Sequence, residues 1–104
     1  MDKARRNQIN QVIDILAKLD LIKQELMGEL DTARSLIESI RDLQQESFDN
    51  ASEAWQEGER GIDMQETIYK LDEVHSEVDN LHSAIETTDI DSLISILDDA
   101  KGIT

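Results

Sequence analysis

Between Ile9 and Ile40 the residues Ile9, Val12, Leu16, Leu19, Lys23, Leu26, Leu30, Ala33, Ile37 and Ile40 recur at spacings of three and four, and only Lys23 is not apolar. That rhythm is a heptad seam, the mark of an α-helix packed along one stripe. Ile15, Ile22, Leu36 and Leu43 form a second line beside it. The apolar face is therefore wider than a two-stranded coiled coil hides and closer to what a bundle needs. One helix is predicted over about 4–46, roughly 64 Å long at 1.5 Å per residue. Gly28 bends it without ending it, at a cost of about 1 kcal/mol.

The rhythm fails over 47–61, where Asn50 followed by Glu53 offers a cap before Gly58 and Gly61 interrupt; a connector with a short helix is predicted. Met64, Ile68, Leu71, Val74, Val78, Leu81 and Ile85 then define a second helix over about 63–86, capped by Asp63 with Glu66. Thr87, Thr88 and Asp89 end it. A last helix over about 89–101 carries Ile90, Leu93, Ile94 and Leu97 and closes on Lys101 and Gly102. With no proline in the chain, the expected fold is all-α. It is a single helical domain over 1–104, a long antiparallel hairpin with the last helix laid over the open side of the first. A two-helix layer of this length leaves apolar stripe in water, so a homodimer forming a four-helix bundle is expected.

Charge changes the picture. The 104 residues carry 24 acids and 10 bases, a net charge of −14. Residues 1–41 hold seven acids and seven bases, whereas 42–99 hold seventeen acids and two bases. Within the acidic half, Asp42, Glu46, Asp49, Glu53 and Glu57 recur at three or four residues, as do Glu59, Asp63, Glu66, Glu73 and Glu77 once Lys70 is admitted to the series. On a helix that spacing sets carboxylates roughly 5–6 Å apart along one edge. Each strand of duplex DNA carries one charge per about 3.4 Å of axis, so such an edge is a sparser counterpart of a phosphate backbone. It suits a basic, nucleic-acid-binding groove on a partner protein, while direct binding of nucleic acid is opposed by like charge. The plainer reading is a solvated face that keeps the protein soluble.

Other chemistry is sparse. Cysteine is absent, which excludes disulfides and thiol nucleophiles. No apolar run approaches a membrane span, and the first ten residues lack the apolar core of a signal peptide; a soluble, cytoplasmic protein is expected. His75, Asp79, His82 and Glu86 share one helical side and are candidate ligands for a divalent ion, but histidines at the border of an apolar stripe more often pack their rings. Ser76 points away from His75, so no nucleophile and base pair forms. Without a water-excluded cleft the carboxylates have no setting for acid–base catalysis, and no phosphate loop or HExxH pattern is present. No enzyme activity, cofactor or metal is expected. Phe48 and Trp55 are expected to plug the hairpin end with Ile62; an exposed Trp55 would instead anchor a partner.

The stretch Ile40-Arg41-Asp42-Leu43-Gln44-Gln45-Glu46-Ser47-Phe48-Asp49-Asn50, with Gln56, Glu59-Arg60-Gly61 and Met64, resembles small acidic helical proteins encoded in bacteriophage and prophage accessory regions. Their pattern reads IRDEEQExFDN, a Leu-Pro-Glu connector, ERGExM and repeated Asn-Leu-Glu/Asp-Glu-Ala units. Leu43 and Gln44 replace two acids, and Ala51 to Trp55 stand where the Leu-Pro segment would be. The resemblance covers about 36–86 and implies a phage origin. It transfers no functional residue, because the group carries no settled activity. By analogy with other acidic phage proteins, the leading expectation is an inhibitor of a host defence system, anti-CRISPR-like or restriction-inhibiting. Its expected contacts are Asp42, Glu46, Asp49, Glu53, Trp55, Glu57, Glu59, Asp63 and Glu66. The alternatives are a structural coiled-coil assembly protein, or a sponge binding an anionic nucleotide signal through Arg5, Arg6 or Arg34.

Overall fold

A computed structural model describes residues 1–103. It contains four helices, α1 (Lys3–Asp49), α2 (Glu53–Glu57), α3 (Glu59–Glu86) and α4 (Ile90–Gly102), and no strand among the described residues. The chain divides into two compact units, Met1–Gly28 with Ala84–Thr104, and Glu29–Ser83.

Helix ends follow local chemistry. The Asp2 carboxylate accepts from the Arg5 amide at 2.8 Å, capping α1. Ser52, not Asn50, caps α2 by accepting from the Trp55 amide, and Asp89 caps α4 by accepting from the Ser92 amide at 3.0 Å. The α3 start differs from expectation: the helix begins at Glu59 rather than Asp63, and Gly61 lies inside its first turn. A β-carbon at Gly61 would fall well inside contact distance of the Trp55 and Gln56 carbonyl oxygens. Glycine here is thus a site of close approach between α2 and α3, not a helix breaker. Gly28, by contrast, has open space where its β-carbon would stand. Gly28→Ala is therefore expected to stabilise the fold by about 0.5–1 kcal/mol through helix propensity and a less flexible unfolded chain, measurable by thermal melting followed by circular dichroism. A lower melting temperature would mean that α1 needs a bend at this point.

In the unit Glu29–Ser83, α1 and α3 run antiparallel. Asp31 meets His82, Arg34 meets Asp79, Glu38 meets His75 and Arg41 meets Asp72. Each step of three or four residues forward on α1 is matched by an equal step back on α3, which defines the register. Between these rungs Leu30, Ile37 and Phe48 on α1 are half-buried, as are Met64, Leu71 and Val78 on α3. Ile68, at 8% exposure, is the buried hydrophobic residue of this unit. In the unit formed by Met1–Gly28 and Ala84–Thr104, α4 returns along the first half of α1: Lys101 donates to the Asn10 side chain at 3.0 Å, and the Met1 ammonium donates to the Ile103 carbonyl. Ile90 is buried there, with Ile94 and Leu97 half-buried.

The packed line of α1 is not the one that hydropathy alone selects. Ile9, Leu16, Lys23, Leu30, Ala33 and Ile37 belong to it as expected, but Ile13, Met27, Arg34, Arg41 and Phe48 are covered, while Val12, Leu19, Leu26 and Ile40 are exposed. The face is turned by roughly 50° at 100° per residue, because Arg34 and Arg41 must point at Asp79 and Asp72. On α3 the same effect brings His75 and His82 into the seam and leaves Val74 and Leu81 exposed. Leu93 of α4 is likewise exposed.

Candidate functional site: an acidic edge and a charged ladder

Every expected contact residue lies in the unit Glu29–Ser83, distributed over three helices. Asp42, Glu46 and Asp49 occupy one exposed edge of α1, Glu53, Trp55 and Glu57 belong to α2, and Glu59, Asp63 and Glu66 open α3. The chain turns over 50–52 between α1 and α2, so the expected row from Asp42 to Glu57 is not a single helical edge. The row on α3 is whole. Because α3 starts at Glu59, the residues Glu59, Asp63, Glu66, Glu73 and Glu77 share one helix and are all exposed, roughly 150° from the packed line at 100° per residue.

Few of these acids are neutralised internally. Asp42 pairs with Arg41 at 3.3 Å and Glu66 with Lys70 at 3.2 Å. Asp49 accepts from the Gln45 amide at 2.9 Å. Glu46, Glu53, Glu57, Glu59, Asp63, Glu73 and Glu77 meet no cation among the described residues. The unit Glu29–Ser83 holds fifteen acids and four bases, a net −11, against nine acids and six bases, a net −3, in the other unit.

The end of this unit is fastened by polar groups. The Gln56 side chain donates to the Phe48 carbonyl at 2.7 Å, which also accepts from the Ala51 amide, and to the Ala51 carbonyl at 3.4 Å, tying α2 to the end of α1 and the turn that follows it. Phe48 and Trp55 are half-buried there, while Ile62 is exposed and does not complete the expected plug.

The ladder itself is what sequence reading missed. Arg34 donates to Asp79 at 2.9 Å and to Asp31 at 2.8 Å, and Arg41 donates to Asp72 at 3.0 Å. His75 Nε2 lies 2.7 Å from Glu38 and its Nδ1 3.5 Å from Asp79. The signal was present: 31, 34, 38 and 41 are charged at spacings of three, four and three, and 72, 75, 79 and 82 mirror them. Such pairs add little stability where water reaches them, but a one-turn slip would set Arg against His and acid against acid, so they select the register. His75 and His82 are thus engaged across the helix pair, and no cluster of three His, Cys, Asp or Glu residues suited to a metal occurs among the described residues.

The Arg34 hydrogen bond, aided by the charges of His75 and His82, holds the Asp79 carboxyl below its usual range, against a smaller opposing effect of burial. Asp79 reciprocally raises Arg34. A depressed folded pKa stabilises the fold above the unfolded value, about 3.9, and the gain disappears as pH falls through the folded value. Asp79→Asn is therefore expected to lower the melting temperature at neutral pH and to flatten its decline below about pH 4, as followed by circular dichroism across a pH series. An unchanged acid limb would place the acid sensitivity elsewhere.

In the other unit, Lys23 explains its own intrusion into the apolar seam. Its ammonium donates to the Glu86 carbonyl at 3.2 Å and also to the Thr88 carbonyl, where the helix dipole is negative. Arg5 pairs with Asp2, while Arg6 forms no ion pair among the described residues. No helix among the described residues is long and apolar enough to cross a membrane. Compared with family models, curated proteins and solved structures, the chain finds no match in any of the three.

Proposed function

We propose that the protein is a non-enzymatic inhibitor whose acidic edge occupies a basic, nucleic-acid-binding groove on a host protein. The observation that carries this reading is the row Glu59, Asp63, Glu66, Glu73 and Glu77, outward on one helix and left largely without cations. Solubility alone asks for charge anywhere on the surface, whereas here eleven of the fourteen net negative charges sit in one unit. Repulsion between carboxylates four apart destabilises a helix, so an ordered row costs stability that a scattered one would not. Asp42, Glu46 and Asp49 on α1, with Glu53 and Glu57 on α2, extend the acidic surface. Resemblance to phage accessory proteins supports an opponent in host defence, anti-CRISPR-like or restriction-inhibiting.

The sponge reading is left with Arg6, since Arg34 is engaged by Asp31 and Asp79 and Arg5 by Asp2. The assembly reading is favoured by a separate observation, the exposed apolar line of α1, and the two readings are compatible in one molecule.

Capture of partners from host lysate tests the proposal. The wild-type chain is expected to retain a nucleic-acid-binding protein at low salt, to lose it at high salt, and to lose it when Glu59, Asp63, Glu73 and Glu77 are changed to lysine. Retention of the same partner by the lysine variant would remove mimicry and leave assembly.

A further inference from the structure

We propose that a second copy of this chain packs against an apolar face formed by α1 and α3 together within the unit Glu29–Ser83, so that two helix pairs close into a four-helix bundle. The charged ladder settles which side chains share that face. Counted at 100° per residue, Arg34 and Arg41 lie to one side of the packed line of α1, and Leu36, Ile40 and Leu43 to the other. On α3, Asp72 and Asp79 lie to one side of the packed line, and Val74, Val78 and Leu81 to the other. The ion pairs Arg34 to Asp79 and Arg41 to Asp72 join the two charged sides. The two apolar sides therefore form a single face on the opposite side of the pair. Along it, the register of the ladder sets Leu36 level with Val78 and Ile40 level with Val74.

Charge is kept off this face and decides how two copies meet on it. Residues 30–47 hold four acids and 64–82 hold five, yet none of them projects from the face. Glu73 and Glu77 stand at its α3 rim, beside Val74 and Leu81. The α1 rim carries Thr32 and Ser39, both exposed. Two such faces related by a two-fold axis bring helices together antiparallel, either α1 on α1 and α3 on α3, or each α1 on the α3 of the other copy. The first would run the two acidic rows along one shared rim, like charge against like. The dimer therefore takes the second, which sets Glu73 and Glu77 beside hydroxyl groups, Leu36 over Val78 and Ile40 over Val74 of the other copy.

The area suits a second copy. Leu36, Ile40, Leu43, Val74 and Leu81 are 48–61% exposed. Covering these five removes on the order of 500 Å² of apolar surface per copy, which matches the apolar share, about 65%, of the roughly 800 Å² that each partner gives to a standard interface. The unit also lacks a core of its own, since Ile68 is its single buried hydrophobic residue among those described. A four-helix bundle supplies one between the two helix pairs.

Sedimentation of the full chain gives the first readout. Wild type is expected at twice the monomer mass, more completely as salt rises, because an apolar interface joins two acidic units whose repulsion salt screens. Leu36→Glu together with Leu43→Glu is expected to be monomeric with unchanged helical circular dichroism, since both side chains are exposed in the single chain. The absence of cysteine lets crosslinking read the arrangement. Ile40→Cys and Val74→Cys chains, mixed and oxidised, are expected to give a covalent dimer containing one of each and little of either with itself. A wild-type monomer at tens of micromolar, a dimer that salt dissociates, or a double variant that remains dimeric would overturn this interface. Efficient crosslinking of Ile40→Cys with itself would overturn the pairing of α1 with α3. No host partner enters these readouts, so the dimer and the inhibitor reading fail independently.

Discussion

Gly61→Ala is expected to destabilise the protein by about 3 kcal/mol, the upper end of what overpacking costs, and to lower the melting temperature by roughly 10–20 °C. The added methyl group would meet the Trp55 and Gln56 carbonyl oxygens. Those are backbone atoms of a five-residue helix held between two longer ones, so neither neighbour has a side chain to swing aside. Relief requires α2 to move, and that movement breaks the bonds from Gln56 to the Phe48 and Ala51 carbonyls. Trp55 is the sole tryptophan and sits half-buried on α2, so its emission is expected to shift to longer wavelength in the variant. An unchanged melting temperature together with unchanged emission would mean that α2 does not pack against the start of α3 as described.

Gly61 also shows where sequence reading stops. Helix number, their approximate bounds and the all-α class follow from apolar spacing and from the absence of proline, because those signals are local. Whether a glycine ends a helix or admits a neighbour depends on what lies across from it, and nothing near Gly61 in the sequence carries that information. The packed line of α1 departs from the hydropathy pattern for a related reason. Val12, Leu19, Leu26 and Ile40 are more apolar than Ile13, Asp20, Met27 and Arg41 taken together, so hydropathy selects the former. The chain packs the latter, because Arg41 and Arg34 have charged counterparts on α3. Of the acidic surface, the α3 row is legible as a period, but the break in the row from Asp42 to Glu57 is not, since the turn over 50–52 takes Glu53 and Glu57 off α1.

Neutralising the outward row, with Glu59→Gln, Asp63→Asn, Glu73→Gln and Glu77→Gln together, is expected to slow association with the captured partner at low salt by tenfold or more. Dissociation is expected to change less, because exposed charges steer encounter more than they hold a complex. The same variant is expected to melt slightly higher than wild type, since like charges no longer repel at neighbouring turns. That opposition separates a functional row from a structural one: binding declines while the fold gains. A variant that bound normally and melted higher would mark the row as solvated surface. Raising salt is expected to slow the wild-type association steeply and that of the variant little, because the screened charges are the ones removed.

The most direct measurement is competition. A labelled DNA or RNA ligand of the captured partner is titrated in the presence of the wild-type chain or the neutralised variant. If the acidic edge of α3 stands in for phosphates, the wild-type chain displaces the nucleic acid in proportion to its own occupancy, and the neutralised variant does not. Simultaneous binding of nucleic acid and wild-type chain to the same partner would contradict mimicry.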